Sequence, residues 1–88
     1  RYIAASLGPM GVRVNAISSG PVRTVAASSI QKFDELSILH NKNAPLKGPI
    51  TSQMIGNTAV CLCSDWMAGV TGEVVHLDNG FHAMGANL

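Results

Sequence analysis

The chain has 88 residues and a net charge of +1, with 12% charged and 47% hydrophobic residues. Proteins average about 25% charged residues, so we expect much of this surface to be buried in a larger body or against other subunits. The near-neutral balance argues against nucleic-acid binding, which needs a basic patch. No apolar run is long enough to cross a bilayer, and no signal-peptide pattern follows Arg1.

Three stretches carry helical signals. Residues 1–7 are typical of the last turns of a helix that a Gly-Pro pair stops. Residues 24–43 have apolar side chains at helical spacing and predict one or two short helices. A firmer amphipathic helix begins at Thr51 or Ser52, either of which can cap it, and runs to about residue 64.

Two segments with alternating side chains predict β-strands. They are residues 11–17 and residues 73–77, and Gly, Pro, Asn or Ser residues follow each of them. About 55 residues with helical signals separate the two, and a connection of that length joins parallel strands in the right-handed sense. The pattern predicts an α/β protein of the doubly wound, parallel-sheet type.

Two parallel strands with their helices do not form a stable sheet, because a strand buried on both faces needs neighbours and cover. The opening residues also look like the end of a helix rather than the start of a fold. We therefore expect this chain to be one part of a larger domain.

The segment after the first predicted strand has the composition of a ligand wall, since ligands bind beyond the carboxyl ends of such strands. Gly20 lets a ligand approach the backbone closely, and Val22 offers backbone N–H and C=O groups. Thr24 offers a hydroxyl and an N–H where a helix begins, which favours anions. On composition alone, an ordinary Gly-Pro turn remains the alternative explanation.

Specific strings resemble a known family. Residues 2–9, YIAASLGP, and residues 11–18, GVRVNAIS, resemble short-chain dehydrogenases/reductases. Residues 20–30, GPVRTVAASSI, are similar more specifically to the bacterial enoyl-acyl-carrier-protein reductases, because ordinary ketoreductases typically have Pro-Gly here and lack the RTxAAS string. Residues 56–59, GNTA, and 72–78, GEVVHLD, are similar to the family's last helix and last strand.

The resemblance implies a Rossmann-like, doubly wound fold with a seven-stranded parallel sheet, of which only the last two strands and their helices are present here. It implies an enzyme that transfers hydride from NADH to a trans-2-enoyl thioester during fatty acid elongation. The catalytic tyrosine and lysine of the family are expected upstream, since no residue here matches them and Tyr2 follows the lysine. We therefore expect the chain to be the C-terminal third of the enzyme and inactive alone.

The resemblance also implies a role for single residues. The nicotinamide carboxamide would pair with the backbone of Val22, and the pyrophosphate would approach Thr24. The cofactor-binding residues implied are Gly20, Pro21, Val22, Thr24, Val25 and Ala26. Residues 24–43 would form the substrate-binding loop helices, with the acyl channel lined by Ala26, Ala27, Ile30, Phe33 and Leu36.

Partners follow from the same resemblance. Family members form homotetramers, so we expect a homotetramer in the cytoplasm that takes its enoyl substrate on acyl carrier protein. The apolar residues Trp66, Met67 and Met84 are candidates for subunit contacts, and packing within the chain is the alternative. Neither nucleic acid nor a membrane is expected as a partner.

The remaining polar residues predict no metal site. The three histidines show no metal-ligand spacing, so packed or hydrogen-bonded structural roles are expected for them. Asp78, at a strand end, suits a capping role. Cys61 and Cys63 stand two apart on a helix and do not face each other, which predicts reduced, buried thiols rather than a disulfide.

Two alternatives stay open. The chain could come from another short-chain dehydrogenase/reductase, such as a 3-oxoacyl-acyl-carrier-protein reductase or a hydroxysteroid reductase, although the string that begins at Arg23 speaks against it. It could also come from a non-catalytic family member that keeps the fold for assembly. Only the upstream tyrosine and lysine would distinguish that second alternative.

Overall fold

The computed structural model describes residues 1–22 and 32–84, and the statements below refer to them. In chain order the elements are helix α1 (Tyr2–Leu7), strand β1 (Ala16–Ser19), helix α2 (Phe33–Asn43), helix α3 (Ser52–Cys63) and strand β2 (Val74–Leu77). Short 3₁₀ turns lie at Gly8–Met10, Asp65–Met67 and Phe81–Ala83. The predicted helix at residues 24–43 is found from Phe33 onward, and residues 24–31 lie outside the described part.

Strands β1 and β2 pair in parallel, which confirms the pairing predicted from the long connection. Ala16 lies opposite Val74, and Ser19 lies opposite Leu77. The ladder continues for one further bond, because the Gly20 N–H donates to the Leu77 carbonyl at 3.0 Å. In parallel strands the carboxyl ends meet at one edge, so the residues that follow β1 and β2 are brought together.

Strand β1 begins five residues later than predicted, at Ala16 rather than residue 11. Before Ala16 one backbone bond remains between the two segments, from the Gly72 N–H to the Val14 carbonyl at 2.8 Å, and polar side chains hold the other residues. The Arg13 guanidinium and the Asn15 amide each donate to the Val70 carbonyl, both at 3.0 Å. The segment opposite turns at Gly72, whose φ of 72° leaves the extended conformation, so the ladder cannot run further in that direction.

Helix α3 begins as predicted. The Thr51 hydroxyl oxygen accepts a hydrogen bond from the Met54 N–H at 3.2 Å, which satisfies one of the N–H groups that a helix leaves unpaired in its first turn. Leu62 is the buried residue of its apolar face.

Helix α2 is held at both ends by charge. Asp34 and Glu35 lie in its first turn, where the helix dipole favours negative charge. At the other end the Lys47 ammonium donates to three carbonyl oxygens, those of Asn41 at 3.0 Å, Lys42 at 3.2 Å and Ala44 at 2.8 Å. These bonds fix where α2 ends and where the connector to α3 begins.

The connector between α2 and α3 is attached to the turn that follows β2. The Leu46 N–H donates to the Asn79 carbonyl at 3.0 Å, and the Asn79 side chain donates to the Gly48 carbonyl at 3.1 Å. Gly80 has φ 87°, and a Cβ there would lie 2.9 Å from Pro45. Glycine is therefore required at position 80 both by backbone conformation and by close packing.

The described chain buries little of its apolar surface. Trp66 is 95% exposed, Tyr2 91% and Val60 72%, and no large side chain among the described residues is fully buried. Cys61 and Cys63 are free, as predicted, but the expectation that they are buried is wrong, since both are exposed. No helix within residues 1–22 and 32–84 is both long and apolar enough to cross a membrane.

We expect the 88-residue polypeptide alone to lack a cooperative unfolding transition. Burial contributes about 25 cal/mol per Å², and with so many apolar side chains exposed it cannot offset roughly 1.5 kcal/mol per ordered residue. Circular dichroism during heating, compared with the complete protein in the same buffer, measures this. A sharp sigmoidal transition of the isolated chain would contradict the prediction.

Candidate functional site

A cavity of about 570 Å³ lies at the carboxyl end of β1. Its lining includes the five described residues that were predicted to contact cofactor or substrate, namely Gly20, Pro21, Val22, Phe33 and Leu36. The structure thus brings these five residues to one place, while their roles toward a ligand stay predictions. The other predicted site residues lie outside the described part of the chain; they are Thr24, Val25, Ala26, Ala27 and Ile30.

The strand side of the cavity is anchored by backbone pairing. Gly20 is tied to β2 by its bond to Leu77. Two residues later Val22 forms an isolated parallel bridge with Ile50, which is 4% exposed. The Gly-Pro turn is therefore supported on both sides, and it presents Val22 from a fixed position.

Helix α2 supplies the apolar side of the cavity. Phe33 and Leu36 are three positions apart, so both side chains lie on one face of the helix. Phe33 is buried, whereas Leu36 is 54% exposed although it lines the cavity. An exposed leucine in a concave site offers apolar surface that an apolar ligand can cover.

His40, for which only a structural role was predicted, also lines the cavity. It is buried, and its ring stacks on Phe81 with centroids 4.9 Å apart, so the predicted packing is confirmed. Its Nε2 atom is buried without a hydrogen-bond partner among the described residues. The spacing of Phe33, Leu36 and His40 in the sequence shows that the three share one face of the helix. It does not show which residues or which cavity that face contacts.

Gly20 and His40 are in close contact. A Cβ added at Gly20 would lie 2.6 Å from His40 Nε2, closer than real Cβ atoms come to any neighbour. The missing side chain at Gly20 is thus what allows α2 to approach the end of β1. A second cavity, of about 530 Å³, shares Pro21, Phe33 and His40 with the first and extends to Thr51.

Asp78, at the end of β2, lines the first cavity from the other side. Its Oδ1 accepts from the Gly80 N–H and its Oδ2 from the His82 N–H, both at 3.1 Å, which confirms the predicted capping role. His82 Nδ1 lies 3.0 Å from Oδ1. Burial acts to raise the pKa of the Asp78 carboxyl, but the hydrogen bonds from His82 and Gly80 outweigh it, so the pKa lies below its usual value.

His76 joins this group. Its ring stacks on that of His82, with centroids 3.9 Å apart and planes 13° from parallel. One ligating atom from each of His76, Asp78 and His82 lies within 4.8 Å of the other two. The expectation that the histidines have no ligand spacing therefore does not hold for His76 and His82, because the chain reverses between them.

We expect Gly20→Ala to lower the melting temperature of the complete protein. The new methyl group would overlap His40, and overpacking of this kind costs about 1–3 kcal/mol, which corresponds to roughly 2–10 °C. In a His40→Ala background the same change should cost clearly less, since the overlapping atom is gone. Thermal melting of the two single variants and the double variant measures the difference.

Gly69→Ala is the matched control, because a Cβ there would meet nothing within 4 Å. If Gly20→Ala lowered the melting temperature equally with and without His40, the proposed overlap between the new methyl group and His40 would be wrong.

Comparison with known proteins shows the family. The model of the enoyl-(acyl carrier protein) reductase family matches residues 1–82. The curated enoyl-acyl-carrier-protein reductase (NADH) of Aquifex aeolicus is 53% identical over 85 residues, which are 97% of this chain and 32% of that protein.

Solved structures agree with this match. The crystal structure of the enoyl-acyl-carrier-protein reductase (NADH) from Aquifex aeolicus superposes with a TM-score of 0.90 at 50% identity, covering 99% of this chain and 34% of the other. The reductase from Anaplasma phagocytophilum, solved in complex with NAD, gives a TM-score of 0.87 at 44% identity, covering 99% and 33%. The chain spans about a third of the length of these relatives. The predicted Rossmann-like α/β fold is confirmed, and the chain belongs to the enoyl-(acyl carrier protein) reductase family.

Proposed function

We propose that this chain forms part of the cofactor and substrate site of an NADH-dependent enoyl-acyl-carrier-protein reductase, which reduces a trans-2-enoyl thioester during fatty acid elongation. The observation that carries the proposal is the cavity after β1, in a chain of this family, with Gly20, Pro21, Val22, Phe33 and Leu36 around it. Residues 1–88 would be the C-terminal part of one Rossmann-like domain. The catalytic tyrosine and lysine would lie outside this chain.

The described residues fit a nicotinamide cofactor. Relatives of this chain carry NADH in their names, and one was solved with NAD. Gly20 and Pro21 line the cavity, and Val22 is held at the strand end by its bridge to Ile50. We propose that the Val22 backbone pairs with the carboxamide of the cofactor, and that Thr24, Val25 and Ala26 continue the contact. When bound, NADH supplies the hydride.

The acyl chain of the substrate would lie against the apolar face of α2. Phe33 gives this side of the cavity a buried, fixed wall, and Leu36 adds exposed apolar surface that a ligand would cover. We propose that Ala26, Ala27 and Ile30 extend the same channel, so that residues 24–43 form the substrate-binding part. An apolar wall also excludes water from the place where hydride would be transferred.

Assembly into a cytoplasmic homotetramer, with acyl carrier protein delivering the substrate, belongs to the same proposal. Its support in this chain is the apolar surface around Trp66 and Val60, which further protein has to cover. Packing against other parts of one subunit would cover the same surface.

The reaction is tested with the complete enzyme. We expect NADH oxidation, followed by absorbance at the nicotinamide band, with a trans-2-enoyl thioester and none above background with the matching 3-oxoacyl thioester. The reverse preference would support the ketoreductase alternative, and no turnover of either would support a non-catalytic family member. Both of these results would contradict the proposal.

We expect Leu36→Ala to raise the KM for a long-chain enoyl thioester about tenfold. The change removes three carbon atoms, each worth up to ~0.8 kcal/mol when fully buried, and Leu36 is only partly covered. The KM for NADH should stay within about twofold, since Leu36 faces the substrate side.

Ile38→Ala serves as the matched control, since Ile38 is 69% exposed on the same helix and does not line the cavity. If both variants raised the KM equally, or if Leu36→Ala changed the KM for NADH more than that for the thioester, the channel assignment would be wrong.

A further inference from the structure

A second group of side chains, of which Asp78 also lines the cavity after β1, has no role in the proposed reaction. It consists of His76, Asp78 and His82, with ligating atoms within 4.8 Å of one another. We propose that these three residues form a binding site for one divalent transition-metal ion of the zinc type. The inference does not depend on the proposed function.

The backbone explains why residues this far apart in sequence converge. His76 and Asp78 are two positions apart at the end of β2, so they lie on one face of the strand. Asn79 and Gly80 then both adopt positive φ, 57° and 87°, which reverses the chain direction. The 3₁₀ turn Phe81–Ala83 follows and carries His82 back over Asp78.

Asp78 is fixed in position before any ion binds. Its two oxygens accept hydrogen bonds from the backbone N–H groups of Gly80 and His82, and the residue is buried. Each carboxylate oxygen has a second lone pair, so these bonds orient the ligand without using it up. Outer bonds of this kind are what orient metal ligands in proteins.

The two histidines are able to adjust. His76 is exposed, and the side chain of His82 is 46% exposed. In the stacked arrangement the two rings are nearly parallel, so their nitrogen lone pairs do not point at one spot. Tetrahedral Zn²⁺ has ligand distances of about 2.1 Å and hence donor separations of about 3.4 Å, so one or both rings have to rotate as the ion binds.

The ion would bind between His82 Nδ1 and Asp78 Oδ1, which now lie 3.0 Å apart and are hydrogen-bonded. The ion would take the place of the proton between His82 Nδ1 and the Asp78 carboxylate, and that proton would move to Nε2 of a neutral ring or to solvent from a protonated one. Two imidazoles and one carboxylate are a set that suits Zn²⁺ and leave a fourth position for water, whereas Mg²⁺ and Ca²⁺ prefer oxygen ligands throughout. A shallow depression of about 430 Å³, lined in part by His76 and Asp78, lies next to the cluster.

The test uses the complete protein, freed of metal with a chelator and titrated with Zn²⁺ by calorimetry. We expect one ion per chain, bound with a Kd of roughly micromolar or below. His76→Gln and His82→Gln should each raise the Kd at least about tenfold, because each removes one of three protein ligands. Asn57→Ala, at an exposed residue of the same depression, is the matched control and should leave the Kd unchanged.

A measurement on the unaltered protein keeps the test independent of how the variants fold. Co²⁺ in place of Zn²⁺ should give the visible absorption of a four-coordinate ion, and added Zn²⁺ should remove it. The proposal is overturned if no Zn²⁺ binds below about 1 mM, if no such absorption appears, or if either histidine variant binds as tightly as the control.

Discussion

The parallel pairing of β1 with β2 is the constraint on which the other features depend. It is four residue pairs long, and one more bond, from Gly20 to Leu77, extends it to the point where both strands end. Because parallel strands end at the same edge, the Gly-Pro turn and Asp78 become neighbours there. The cavity after β1 and the cluster around Asp78 are both consequences of that shared edge.

Two glycines then determine how closely the helical layer approaches this edge. The missing side chain at Gly20 admits His40 of α2, and the missing side chain at Gly80 admits Pro45 of the connector. Protein interiors are packed so closely that adding one methyl group displaces neighbouring atoms. A substitution at Gly20 would therefore act on the cavity by moving α2, whereas one at Gly80 would move the connector that follows α2.

Local rules in the sequence were sufficient for some of these features. The Thr51 cap and the parallel pairing follow from a capping residue and from the length of the connection. The start of β1 did not follow, because before Ala16 only one backbone bond remains, from Gly72 to Val14, and the side chains of Arg13 and Asn15 make the other bonds. His76, Asp78 and His82 come together only because the chain reverses its direction at two residues with positive φ. Rules for the sequence spacing of metal ligands do not take such a reversal into account. The predicted cofactor and substrate roles of single residues came from the family resemblance, because the composition of the segment after β1 was equally compatible with an ordinary Gly-Pro turn.

The same ladder has a consequence for the order of events during synthesis. Asn15 and Glu73, which are hydrogen-bonded at the start of the pairing, stand 58 positions apart in the chain. Contacts of such separation form late, because the loop between them has to close first. During synthesis the edge of β1 that pairs with β2 therefore stays unpaired until β2 is made, and an unpaired edge readily joins a strand of another chain. The strand exposes Ser18 and Ser19, and these polar side chains favour association with another chain less than apolar side chains would.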